Sequence, residues 1–267
     1  MIRSPAVAGQ FYPGSAGQVE AELDELLRSV APKRDALAVV VPHAGWTYSG
    51  RTAGILYSQV NIPDRVIMVG PNHYGIGSRY ALDDAGHWRT PGGDVPIAES
   101  LAGELLGNCA LITADQCAHV AEHSLEVQVP MLLRANPAVQ IVPLLISGGE
   151  PVEWRAIGVA IATTVRECGK PVLLLASSDL NHYADQQTSN RKDRLALAAV
   201  VALDGDRLLR VVRDEDVSMC GVVPASIVLV AAKQLGAQHA EVLDYRTSGD
   251  VSGDYSAVVG YGAVAIW

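Results

Sequence analysis

Hydrophobic positions along this chain fall into two textures. Residues 39–41, 65–69, 139–146 and 171–176 are nearly continuous apolar runs rich in branched side chains. Such runs are expected of strands covered on both faces. Between them, apolar residues recur at intervals of three and four. Ser15 can cap one such segment, in which Val19, Leu23, Leu26, Leu27 and Val30 share a face. Further helices are predicted over 51–60, 97–106, 152–167, 191–203 and 207–212, and over 121–133 with Pro130 bending or interrupting it. A turn at 219–224 opens a helix reaching residue 235, and residues 240–245 and 255–266 read as closing strands. The turn formers crowded into 86–94 mark an irregular excursion or hairpin. This alternation predicts an α/β fold over residues 1–267, a single domain whose mainly parallel central sheet is flanked by helices.

Composition narrows the partners more than the chemistry. With 49% hydrophobic and 18% charged residues, the 267-residue chain can bury a substantial core. A net charge of −9 argues against nucleic acid as the main partner. No membrane partner is expected either, because the apolar run at 195–203 is too short to span a bilayer. The opening Met1-Ile2-Arg3-Ser4-Pro5 lacks the apolar stretch of a signal peptide, so a cytoplasmic location is expected. Cys109, Cys117, Cys168 and Cys220 show no Cys-x-x-Cys spacing and read as reduced thiols. The phosphate-binding glycine loops and the Gly-x-Ser-x-Gly nucleophile elbow are absent.

What remains is a set of histidines, acids and one cysteine at element ends. The run at 39–41 breaks at Pro42 and is followed by His43; the run at 65–69 breaks at Pro71 and is followed by His73. Proline cannot donate a ladder hydrogen bond, which places both imidazoles at carboxyl ends of strands, where open α/β sheets hold their ligands. As neighbouring strands about 4.8 Å apart, they would let both rings share a metal ion or polarise one substrate. The strand at 171–176 ends in a third polar cluster that contains Asp179 and His182. Asp179 reads either as an acid–base partner or orienting group for an imidazole, or as a cap for the turn. His123 and Glu126, three apart in the predicted helix, are either supporting groups behind the site or a solvated face. Cys220 stands at a helix entrance that favours thiolate, though a lone cysteine also packs as a small hydrophobe. The loop over 248–256 offers amides for an anion or is ordinary turn chemistry. His87, His119 and His239 read as surface or core residues.

Taken in order, Pro42-His43-Ala44-Gly45-Trp46-Thr47-Tyr48-Ser49-Gly50, Gly70-Pro71-Asn72-His73, Glu122-His123-Ser124-Leu125-Glu126, Ser177-Ser178-Asp179-Leu180-Asn181-His182, Met219-Cys220-Gly221 and the 248–254 loop resemble the Memo family. In prokaryotes this is the middle component of the AmmeMemoRadiSam system, and the likeness covers essentially the whole chain. It implies a fold similar to class III extradiol dioxygenases of the LigB type. On that resemblance His43 and His73 take metal-ligand positions, and His182, with Asp179, takes the acid–base position. Cys220 stands where those dioxygenases carry a glutamate. Thiolate is softer than carboxylate, which helps copper or zinc compete with ferrous iron. The resemblance implies a metal-dependent redox protein or oxidoreductase using iron or copper, with zinc as a competitor, on a substrate it does not name. The alternative is a non-catalytic peptide- or partner-binding protein that reuses the ancestral dioxygenase cleft, in line with the link of animal Memo to receptor signalling. Implied partners are a radical-SAM protein, an Ammecr-type protein and a small-molecule or peptide ligand.

Overall fold

The four continuous apolar runs do become buried strands, and they stand together at the centre of one sheet. In the computed structural model, which describes residues 2–28 and 32–267, the strands are β1 (Ile2–Arg3), β2 (Ala38–Val41), β3 (Arg65–Pro71), β4 (Tyr80–Leu82), β5 (His87–Thr90), β6 (Gly93–Pro96), β7 (Thr113–Ala114), β8 (Gln140–Ile146), β9 (Leu173–Ser177), β10 (His182–Ala184), β11 (Ala240–Thr247) and β12 (Val258–Ile266). The helices are α1 (Ala16–Leu26), α2 (Trp46–Gln59), α3 (Glu99–Asn108), α4 (Val129–Ala135), α5 (Pro151–Cys168), α6 (Gln186–Val201), α7 (Gly205–Asp214), α8 (Val222–Gln234) and α9 (Gly249–Ser252). The predicted α1 face is observed for Val19 and Leu23, which are buried, while Val30 lies outside the described residues. Ser15 is the N-cap of α1, but its hydroxyl bonds Gln18 Oε1 rather than the helix amides.

The main sheet runs β10-β12-β2-β9-β3-β8-β4-β7, with β11 on the other side of β12. Its centre, β2-β9-β3-β8, is parallel, as expected for strands sandwiched between helices. The outer strands β10, β11, β12 and β4 attach antiparallel and β7 joins β4 in parallel, so the sheet is mixed around a parallel centre. The strands that lead to His43 and His73 are not neighbours. β9 lies between them, with Val41 opposite Ser177 and Val69 opposite Ala176. The two histidines are therefore about two strand spacings apart at their roots, and their loops must close the remaining distance. The turn-rich 86–94 segment is the β5–β6 hairpin, which pairs with β1 in a small separate sheet.

The predicted helix over 121–133 is the principal error in the secondary-structure reading. Only Val129–Ala135 is α-helical, with Pro130 in its first turn, where a missing N–H costs nothing. Residues 121–125 are irregular and Glu126–Gln128 is a single 3₁₀ turn. The reason lies in two acids. Glu122 captures the amides of His123 and Ser124 with its own carboxylate, at 2.9 Å each, which a continuing helix would forbid. Glu126 is not on a solvated face but is buried, with its carboxylate accepting from Arg3 Nη1 (2.7 Å), Ala6 N (2.8 Å), Val7 N (3.0 Å) and the Tyr12 hydroxyl (2.8 Å). It pins the N-terminal segment across the site's floor. Arg3 completes the clamp by bonding the carbonyls of His119 and Glu122 and lying over the Trp88 ring at 4.2 Å.

Replacing Glu126 by Ala leaves Arg3 buried without its counter-charge and four donors unmet. We expect Glu126→Ala to lower unfolding free energy by about 3–5 kcal/mol. Urea denaturation measures this, and hydrogen exchange should show residues 3–12 losing protection first. A loss below about 1 kcal/mol would mean the clamp is not what holds the segment.

Candidate metal centre

Val41 ends β2, Pro42 cannot extend the ladder, and the chain turns through His43-Ala44-Gly45 into α2. Two contacts fix this turn. Asp179 Oδ1, from the loop after β9, accepts the amides of His43 (2.8 Å) and Ala44 (3.3 Å). The Trp46 amide donates to Phe11 O at 2.7 Å, and a Cβ at position 45 would stand 3.4 Å from that carbonyl. Glycine there lets the N-terminal loop lie close over the turn, which brings the Phe11 ring to 4.8 Å from that of His123.

Three imidazoles converge at this edge. The rings of His43 and His73 are 5.2 Å apart, His43 and His123 5.6 Å, and His73 and His123 are stacked at 4.6 Å. One nitrogen from each lies within 4.8 Å of the others, a spacing that could hold a metal ion. Partner chemistry sets the tautomers of two rings. His73 Nδ1 donates to Glu122 Oε1 at 2.9 Å, which leaves Nε2 with a free lone pair. The Ser177 hydroxyl donates to Ser124 O (2.6 Å), so it receives from His43 Nδ1 (3.0 Å), and His43 Nε2 is again the open nitrogen. Gln128, held by Tyr57, also donates to Ser177 and to the Pro42 carbonyl, which ties this ring to the core. The His123 Nδ1 is buried without a hydrogen-bond partner.

Burial, with His73 and His123 nearby, holds the His43 imidazole well below its usual pKa and therefore neutral, the form that ligates metals. His123 is lowered chiefly by burial. Burial raises Glu122, but the hydrogen bond and charge of His73 and the Ser124 amide outweigh it and bring the carboxyl down to about 2.

The third member of this cluster is therefore His123, expected only as a supporting group, and not Cys220, which comes from the turn before α8 and of the three rings touches His43 alone, with Sγ 3.1 Å from Nε2. The thiolate expected from a helix entrance is not its resting state. Burial, reinforced by the Asp179 charge, pushes its pKa far up, so the metal-free side chain is a thiol that can donate to the open His43 nitrogen. Burial likewise raises Asp179 to about 6, although the His43 amide opposes it. His182 stands outside the three-ring cluster at the start of β10, where its Nδ1 donates to Ser218 O at 2.7 Å and Nε2 is left free. Glu126 contacts none of these rings through hydrogen bonds. Glu122, Ser177 and Gln128 lay inside or beside the quoted motifs without an assigned role; the adjacent Glu122-His123 pair was the available signal. His119 is a core residue with Nε2 on the Ala81 carbonyl, His87 is half-buried near Asp94, and His239 is exposed.

Comparison with known proteins decides the family. Residues 3–265 match the Memo-like protein family. The chain belongs to the Memo family. It is 38% identical to a MEMO1 family protein of Methanopyrus kandleri, with 99% of this chain and 98% of that one aligned. A MEMO1 family protein of Aquifex aeolicus is 37% identical, with 97% of each chain covered. Among solved structures, an uncharacterized protein of Escherichia coli K12 shares the fold at a TM-score of 0.56 and 14% identity, over 85% of this chain and 98% of that one. Among the described residues, no helix is long and apolar enough to cross a membrane.

Behind His182, Asp193 on α6 accepts the Asn181 amide (2.8 Å) and the Tyr245 hydroxyl (2.7 Å), and glycine at position 260 leaves room for its carboxylate. Burial raises this acid to about 6. A raised folded-state pKa gives stability that is full below the unfolded value of about 3.9 and is lost as pH rises through the folded one. Asp193→Asn should abolish this dependence. The expected wild-type excess loss between about pH 4 and pH 6 is roughly 2–3 kcal/mol, read from urea unfolding of both chains. Parallel pH profiles would rule the assignment out.

Proposed function

We propose that this Memo family member binds one transition-metal ion between His43 and His73, with Cys220 as a further ligand, and acts as a metal-dependent redox protein. The observation that carries the reading is the pair of imidazoles with both Nδ1 atoms committed to fixed partners, Glu122 and Ser177, which leaves both Nε2 atoms free in a cluster where one nitrogen of each ring lies within 4.8 Å of the others. A carboxylate behind a ligating histidine is the usual way proteins orient such a ring and raise its basicity. The donor set fits a borderline or soft ion, iron, copper or zinc, better than a hard one. When bound, such an ion supplies Lewis acidity and, for iron or copper, a one-electron couple.

The chain's own residues do the rest. Asp179 sets the His43 loop through two amides, and its carboxyl, raised to about 6, lies in the range where it exchanges protons near neutrality. His182, with Nδ1 on Ser218 O, serves as the proton carrier, and its charge acts on the Asp179 carboxyl. His123, stacked on His73 and tilted against Phe11, offers one ring nitrogen as an additional donor.

Partner binding is the second reading, and it has its own observation. Tyr74 and Tyr183 directly follow His73 and His182 and are 56% and 80% exposed. Tyr183 also adopts φ 61°, uncommon for a residue with a side chain, at an irregularity in the β10–β12 ladder. Such a rim suits a peptide or small aromatic ligand.

Elemental analysis of protein purified without a histidine tag should find about one transition-metal ion per chain. His43→Ala with His73→Ala should abolish it while unfolding stays cooperative. Cys220→Ser should weaken binding and remove sulfur-to-metal charge-transfer absorption from the copper or cobalt form, whereas His123→Ala should leave that absorption in place. Undiminished metal content in the double histidine variant sinks the reading.

A further inference from the structure

A second cleft lies beside the imidazole cluster and is not used by it. It has a volume of about 880 Å³, within the range of small-molecule sites, and opens between α1 and the start of α2. Its two sides carry opposite charge. α1 contributes Glu22 and Glu25; α2 contributes Arg51, and the end of β11 contributes Arg246. Among the described residues, Glu22, Glu25 and Arg51 have no ion-pair partner, whereas many other arginines of the chain are paired. Arg246 uses only its Nε, on Asp244 Oδ2 at 2.9 Å, so its terminal amino groups remain available. Asp250 also lines the cleft, but its carboxylate accepts the Thr247 amide at 2.9 Å. Burial, with Glu25 adjacent, holds the Glu22 carboxyl above its usual range, a cost that an incoming cation would offset.

Glu22, Glu25 and Arg51 share the cleft without closing onto one another, and Arg246, though paired with Asp244 through Nε, keeps two amino groups free beside them. Apolar surface in the cleft comes chiefly from Tyr48, which is exposed. We infer that this cleft binds a small zwitterion, with its ammonium on Glu22 and Glu25 and its carboxylate on Arg51 and Arg246: the chemistry of amino acids and short unblocked peptides. Guanidinium groups favour carboxylate because they offer paired planar donors. The inference does not rest on the metal reading, since none of the proposed metal ligands lines the cleft, and either can fail alone.

The test is calorimetric titration at low salt with glycine, alanine and their unblocked di- and tripeptides, against the same compounds N-acetylated or C-amidated. At least one unblocked compound should bind, and blocking either end should weaken it by about tenfold or more. Arg51→Gln should weaken the unblocked compound and make amidation cost little further; Glu22→Gln should do the same for acetylation. Arg51 is exposed and Glu22 half-buried, and urea unfolding checks that the variants remain folded. Comparing single residues with peptides shows which length spans the cleft. No binding up to about 10 mM, equal binding of blocked compounds, or end preferences unchanged in both variants overturns the inference.

Discussion

The site depends on one buried carboxylate. Glu122 is 2% exposed, yet it stays ionised because N–H donors surround it: the His73 amide (2.6 Å), His73 Nδ1, and the amides of His123 and Ser124. An unpaired buried carboxylate would cost several kcal/mol, so these donors are obligatory rather than decorative. Their geometry fixes the His73 ring and turns His123 onto it. The same loop is bound to the sheet, with Ser124 Oγ donating to Pro71 O (2.8 Å) and Gly70 leaving no room for a Cβ beneath Leu125 and Ser124. Through Ser124 O and Ser177 the network reaches His43. β9, lying between the two histidine strands, is what carries Ser177 to the place where both sides meet.

Much of this was legible because it depends on local chemistry. Proline after a branched apolar run marks a strand end in any context, so the positions of His43 and His73 relative to the sheet followed from residues 39–43 and 65–73 alone. Strand order did not follow, because nothing in a short apolar run states which other run lies beside it; β9 was found as a strand, but its place between β2 and β3 was not. The short strands β4, β7 and β10 carry too few residues to show a period. The helix expected over 121–133 failed for a tertiary reason: Glu122 and Glu126 are spaced as helical surface charges but are drawn inward by His73 and Arg3.

Cys220 shows the same limit in electrostatic form. The sequence reveals a cysteine ahead of a helix, and a helix N-terminus lowers a thiol pKa. It does not reveal that the thiol leaves water and comes near Asp179, and those two effects are larger. Proximity to His43 is what the family resemblance implies, and the 3.1 Å approach agrees with it.

These opposing shifts describe a site whose charge is held low without a metal. His43 is kept neutral and Cys220 protonated, while Asp179, raised to about 6, is largely ionised at neutral pH and Glu122 is firmly ionised and already compensated by its donors. Each shift comes mainly from burial, or is opposed by it, and burial penalises whichever form is charged. A dication among these groups reverses the sign of that penalty for the anions, because a thiolate beside the ion is stabilised by it and lowers the ion's own net charge by one. On the metal reading, binding and deprotonation of Cys220 are therefore one linked event, and the protein's resting state is a neutral donor set waiting on a cation rather than a preformed anion. A glutamate in the same place would ionise more readily at neutral pH than this thiol, with its normal pKa about four units lower. On the same reading the cysteine would tie metal affinity to pH more steeply than a carboxylate would, and it would do so at a proposed ligand that also touches His43.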